Sequence, residues 1–299
     1  MKYTGPIFRP PFESNSLLLQ VTVGCSHNKC TFCTMYSGVP FKTESLEQIE
    51  KDLLEARETY SHVKRVFLVN ADAFVLSGEK LKMIANKINE ILPEVETIAM
   101  YASVNNIKDK TDDELKELRA LKINDLNIGV ESGSSTVLKL LNKGFTPDEA
   151  KTQLSRLTKA GIDYSVNIII GAAGIDESLH HAIESSNLLN ELNPSLIFVA
   201  TLHVDQGSPL EIKLKNGEFK ENSVGQNIIE EIEFLSRLNL DNTYFFGYHT
   251  SNSIPIGGFL NKDKEQLLNS LHQGMESISK DILDSHPEKG SEGNIILSR

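Results

Sequence analysis

An α/β fold with a parallel sheet at its centre is what this sequence predicts, on three observations. Six short apolar, β-branched runs recur along the first two thirds of the chain. Amphipathic segments with helix-start signals separate them, and all three cysteines sit on one loop directly after the first run. Near-continuous apolar character over a handful of residues suits strands covered on both faces, and strand–helix alternation reads as right-handed βα units. The alternation alone leaves open a doubly wound sheet or a full or partial βα barrel.

The six runs are Ser16–Val23, Val63–Val69, Val95–Ala102, Asp125–Val130, Asp163–Ile170 and Ser195–Leu202. After the first, SLEQIEKDLLEA opens with Ser45 as N-cap and Gln48 three residues on, with Leu46, Ile49 and Leu53 as its buried stripe. Thr111 and Glu114 repeat the capping box in TDDELKEL. In TPDEAKTQLSRLTKAG, Thr146 caps, Pro147 opens the first turn, Glu149 completes the box and Gly161 stops the helix. ESLHHAIESSNLLNEL bridges the last two runs, with His180 and His181 expected on its surface. TYFFGYHTSNS is positioned to close or cap the sheet, and residues 262–283 read as a C-terminal helix. The division expected is an N-terminal segment (1–15), a βα core (16–209), an extension that caps the core and completes a substrate pocket (210–284), and a polar, flexible tail (285–299).

The chain has a net charge of −11, with 39% hydrophobic and 24% charged residues. That balance describes a globular protein and argues against a nucleic-acid partner, which would want a basic stripe. No signal-peptide pattern and no apolar run near membrane-spanning length is present, so a cytoplasmic protein without a membrane partner is expected. In a reducing compartment three cysteines do not read as disulfide partners.

Cys25, Cys30 and Cys33, spaced C-x4-C-x2-C, take the place where a dinucleotide fold would carry G-x-G-x-x-G. In a βα sheet this is the C-terminal edge, where loops gather an active site. Three thiolates on one loop suit a single centre. Zinc would want a fourth ligand, with His27 to hand, whereas a 4Fe–4S cluster on three cysteines keeps one iron open to a small molecule.

The cluster loop, the aromatic Phe32 inside it and the six βα units resemble the radical S-adenosylmethionine (SAM) superfamily, over roughly Ser16 to Pro209. The first spacing is one residue longer than the family's usual C-x3-C-x2-C. The resemblance implies a partial (βα)6 TIM-like barrel with parallel strands and a C-terminal helical extension. It implies a 4Fe–4S cluster on Cys25, Cys30 and Cys33, with SAM chelating the fourth iron. Reductive cleavage of SAM would give a 5′-deoxyadenosyl radical, fed by an electron donor such as flavodoxin or ferredoxin. Phe32 would lie near the adenine. Asp72, in NADAF, stands where the family holds the methionyl amino group, and Glu131 and Ser132, in GVESGS, match its ribose and carboxylate motif. In NIIIGAAG, Gly171 would let the backbone approach the adenine, and Gly174 replaces that motif's closing glutamate.

Candidate substrate groups at strand ends are Asn70, Tyr101, Ser103, Asn105, Asn167, His203, Asp205, His249 and Asn252. Amides, imidazoles and carboxylates without a lysine–arginine cluster suit a neutral or cationic heterocycle and suit a phosphate poorly. Three thiols leave none for a second cluster, and no cobalamin-sized domain is expected ahead of the first strand. LLLQVTVGCSHNKCTFCTMY followed by GVESGS is similar to stand-alone radical SAM proteins, among them queuine lyases. That likeness implies C–N cleavage of queuine to 7-aminomethyl-7-deazaguanine. The alternatives are a lyase or isomerase acting on another small metabolite, or a non-enzymatic iron–sulfur or zinc sensor.

Overall fold

The computed structural model describes residues 1–287, so most of the expected tail (288–299) lies outside the described residues. In chain order the strands are β1 (Leu17–Gln20), β2 (Thr22–Val23), β3 (Lys42–Thr43), β4 (Arg65–Val69), β5 (Thr97–Ala102), β6 (Ile123–Glu131), β7 (Tyr164–Ile170), β8 (Leu196–Thr201), β9 (Tyr244–Gly247) and β10 (Ile256–Phe259). The helices are α1 (Leu46–Thr59), α2 (Gly78–Ile91), α3 (Val104–Lys108), α4 (Asp112–Ala120), α5 (Ser135–Leu140), α6 (Pro147–Ala160), α7 (Ser178–Asn190), α8 (Pro209–Lys215), α9 (Val224–Arg237), α10 (Leu260–Ser277) and α11 (Lys280–Leu283).

One eight-stranded sheet runs in the order β1-β4-β5-β6-β7-β8-β9-β10, parallel at each pairing as far as β9 and antiparallel at β10. β1 and β10 are its two edges, so the barrel is open. The first apolar run divides in two. Val21 N still bonds Val69 O beside β4, but β2 turns away to pair with β3. The extension contributes strands as well as helices: β9, inside TYFFGYHTSNS, joins as a seventh parallel strand, and β10 folds back on it.

Alternation along each strand makes two apolar surfaces. Val66, Leu68, Ile98, Met100, Leu126, Ile128, Val166, Ile168, Ile197 and Val199 belong to the large core shared with the helices. The residues between them, Leu18, Phe67, Val69 and Ala99, form a separate interior cluster with Ile7 and Tyr101. Farther round the sheet this inner face turns polar, where Ser165 Oγ donates to Asn127 Oδ1 at 2.8 Å.

The local helix signals operate as written. Ser45 accepts from the Gln48 amide, both threonine capping boxes form, and Gly161 ends α6 at φ +74°. The C-terminal helix breaks at Ile278, giving α10 and α11. His180 is exposed as expected, but His181 is not a surface residue. It is 1% exposed, because α9 packs over α7 and Glu230 of α9 meets its ring, Nδ1 to Oε1 2.8 Å.

The N-terminal segment is fastened along the open side. Thr4 exchanges two hydrogen bonds with the Gln20 side chain, Glu13 pairs with Arg65, and the Phe12 ring meets Phe198 and Phe246. At the opposite end buried Asn252 ties β8 to β9, donating to Val199 O (2.9 Å) and Gly247 O (3.0 Å) and accepting from Thr201 Oγ1 (3.0 Å). Asn252→Ala leaves those groups unpaired and is expected to cost about 2 kcal/mol in urea unfolding.

Glu231, buried beside Glu230, is pushed up to about 8 by burial and then by Glu230's charge. The folded chain keeps a proton there that the unfolded chain releases above the ordinary carboxylate range. This contribution to stability is complete at acid pH and is lost as pH rises through about 8. Urea midpoints measured from pH 5 to pH 9 should therefore decline more steeply for the parent chain than for Glu231→Gln.

Candidate active site

The cysteine loop has no regular structure of its own, so its polar groups find partners in neighbouring loops. Thr31 N donates to Leu141 O (3.1 Å) and Thr31 Oγ1 to Leu140 O (2.8 Å). Asn142 returns a bond to Lys29 O (2.8 Å), and His27 Nε2 donates to Asn142 O (2.8 Å). On the other side the Ser26 amide and hydroxyl both donate to the Asp72 carboxylate, while Thr34 Oγ1 donates to Asp205 Oδ2 at 2.7 Å. Held in this way, Cys25, Cys30 and Cys33 line one cavity of about 480 Å³ over the C-terminal ends of the strands.

All three thiols are free, and burial pushes each of them up, Cys33 to about 11; at Cys30 nearby Lys143 acts against the rise. Among the described residues no three His, Cys, Asp or Glu side chains stand where they could hold a single metal ion. Three thiols lining one cavity suit a cluster that presents a separate iron to each thiolate.

Lys143 Nζ lies 3.1 Å from Glu131 Oε1. Burial works against the lysine's charge, but Glu131 and Cys30 outweigh it and raise the ammonium above its usual range. Glu131 has φ +70° and interrupts the β6–β7 register, so its carboxylate folds back over Gly129, where any side chain would collide with it. Burial raises the Asp72 carboxyl, with the Ser26 bonds opposing.

Several residues expected from sequence meet at this cavity: the three cysteines, Phe32, Asp72, Glu131, Tyr101, Ser103, Asn105 and Asn167. Others stand elsewhere. Asn70 is fully buried, bonded to Thr22 and to the Phe8 amide. Ser132 accepts from the Ser134 amide within its own turn. Gly171 has φ +83° and faces Asn227 of α9, whose Oδ1 would lie 2.6 Å from an added Cβ. Helix packing therefore already demands a glycine there. His203 has a buried Nδ1 without a partner among the described residues. Asp205 fastens the cysteine loop, Asn252 the sheet, and His249 bonds Ser251, its Nδ1 2.6 Å from Oγ. No residue of 210–284 lines this cavity; that segment widens the sheet.

Lys143, Tyr36 and Asn127 line the cavity without having been singled out. Tyr36, whose hydroxyl accepts from the Ala71 amide at 3.2 Å, ends the cysteine stretch itself and was legible there. Lys143 carries no motif.

The open parallel barrel with three cysteines converging after its first strand is the architecture of a SAM-cleaving iron–sulfur enzyme. Residues 19–185, more than half of the chain, match the Radical SAM superfamily, and the chain belongs to that family. Its cofactors are a 4Fe–4S cluster and SAM. The heme chaperone HemW of Bacillus subtilis (strain 168) is 23% identical over 186 residues, 60% of this chain and 48% of its own length. The HemW relatives are longer proteins, of which this chain spans 40% to 61%. Among solved structures, methylornithine synthase (PylB) aligns with a TM-score of 0.53 at 15% identity, covering 92% of this chain and 83% of that one. Coproporphyrinogen III oxidase (HemN) from Escherichia coli aligns with a TM-score of 0.53 at 18% identity, covering 74% and 52%. At these identities the likeness is one of fold.

In the iron-free protein a thiol held up at about 11 is poorly nucleophilic at neutral pH. Alkylation of Cys33 by iodoacetamide, followed by peptide mass spectrometry, should be slower than that of a free cysteine and should keep accelerating to about pH 11.

Proposed function

We propose that this chain is a cytoplasmic enzyme that cleaves SAM reductively, with an electron donor such as flavodoxin or ferredoxin, and abstracts hydrogen from a small neutral or cationic heterocycle. The specific candidate is queuine, cut at its C–N bond to release 7-aminomethyl-7-deazaguanine. One observation carries the substrate class. The cavity that holds the thiols also presents Tyr101, Asn105 and Asn167, none with a side-chain hydrogen bond among the described residues. Among the described residues no arginine lines it, and the one lysine that does is paired with Glu131.

Cys25, Cys30 and Cys33 would hold the cluster. When bound, cluster and SAM together supply the electron and the 5′-deoxyadenosyl radical. Phe32 offers a flat apolar face to the adenosine, and Lys143 offers charge to the methionyl carboxylate, with Glu131 keeping that lysine in place. Tyr101, Asn105 and Asn167 donate to and accept from the polar edge of the heterocycle. The apolar cluster behind Tyr101 keeps water from the reacting atoms. The name of the HemW relatives suggests heme handling instead. That reading is less well supported, because the one histidine lining the cavity among the described residues, His27, is committed to a backbone carbonyl.

The test is mass-spectrometric detection of 5′-deoxyadenosine from anaerobically reconstituted, reduced protein with SAM, with and without queuine. Nucleoside and deazaguanine amine appearing together, and both lost in a folded Cys30→Ala variant, is the expected result. Nucleoside without queuine dependence would move the assignment to other heterocycles. None from protein with reducible iron, together with a Soret band on adding heme, would overturn the radical reaction.

A further inference from the structure

The polar cluster behind β7 belongs to no part of the cavity, yet it holds the turn that joins β7 to α7. Glu230, on α9, is fully buried, and among the described residues no lysine or arginine is paired to it. Its Oε1 accepts the Gly171 amide at 2.9 Å and lies 2.8 Å from His181 Nδ1. Its Oε2 accepts from Ser178 Oγ at 2.5 Å and from Asn222 Nδ2 at 3.0 Å. Three segments thus converge on one carboxylate, and the one backbone group it takes is the first amide of the turn 171–174.

That turn leads back to the cluster loop. Ile169 and Ala172 lie in a small apolar cluster with Val137, Leu141 and Leu202, separate from the main core, and the Phe32 ring packs against it. Phe32 stands between Cys30 and Cys33. The same turn lacks a carboxylate of its own at Gly174, where an added Cβ would meet the Lys220 carbonyl at 2.6 Å. The carboxylate that reaches this turn comes instead from α9.

We infer that Glu230, with His181 behind it, is a positioning residue for SAM: it fixes the 171–174 turn, and through that turn the apolar seat of Phe32, from outside the barrel. The inference rests on the radical SAM reading of the cavity. Glu230 touches no reacting atom. It acts by holding the turn against which the Phe32 ring is seated on the cavity wall, and such a ring is set by the shell that supports it.

The experiment uses the reconstituted, reduced holoprotein and compares the parent chain with Glu230→Gln and His181→Gln. Iron content, thermal midpoint, SAM affinity by equilibrium dialysis and the change in the cluster's EPR signal on adding SAM are measured on each. The expected result is about tenfold weaker SAM binding in both variants and a smaller SAM-induced EPR change, with iron content unaltered. Unchanged affinity in folded variants, or loss of iron in parallel with loss of affinity, would overturn the inference. If Glu230→Gln fails to fold, Ser178→Ala removes one donor and carries the same comparison. A parent holoprotein that binds no SAM would count against the reading of the cavity, and with it this one.

Discussion

The constraint on which the rest depends is that three thiols must be held on a loop that has neither helix nor strand to hold it. A loop satisfies its backbone either with water or with neighbours, and only neighbours fix a geometry. Here the neighbours are the turn at Leu140–Asn142, Asp72 after β4 and Asp205 after β8. These anchors come from three separate βα connections. The parallel sheet is what brings such connections to one edge, and the open barrel curves them toward one another.

The interior divides its work accordingly. On the β1-β4-β5 side, Leu18, Phe67, Val69 and Ala99 fill the concave face together with Ile7 of the N-terminal segment. On the β6-β7 side Asn127, Ser165 and Asn167 replace them. An apolar half excludes water, while a polar half offers hydrogen bonds, and a cavity between the two can orient a polar substrate without flooding a radical reaction. Open edges would expose both halves. The N-terminal segment covers one side, and the antiparallel β10 ends the other.

How much of this was legible follows from distance along the chain. Ser45, Thr111 and Thr146 signal helix starts through residues three positions away, and the cysteines declare a centre within nine positions. Such signals are local and survive without coordinates. Lys143 is assigned by its partners, Glu131 twelve residues before it and Cys30 far upstream, and nothing in LLNKGF announces either. Asn70 and Asn252 have the chemistry of substrate contacts, but the fold uses that chemistry to bind Phe8's amide and to join β8 to β9. A polar side chain at a strand end satisfies backbone or ligand with equal ease, and only the fold decides which.

The burial of His181 follows from α9, which packs over α7. ESLHHAIESSNLLNEL is polar enough to read as an exposed helix, yet Ser178, His181, Ser185 and Ser186 are all buried. Ser178 and His181 are buried against Glu230 of α9, while Ser185 is buried against the loop after β6, where its Oγ accepts the Gly133 amide. Two helices that each look too polar to pack become compatible when their polar groups answer one another, which neither sequence window reveals alone. The capping box at Ser223 and Gln226, with Ile228, Phe234 and Leu235 on one face, was the available sign of α9. Reading it would have placed a helix of unusual polarity against another. In a core, matched polarity of that kind is specific: it sets not only that the helices meet but which turn, at Gly171, they fix between them.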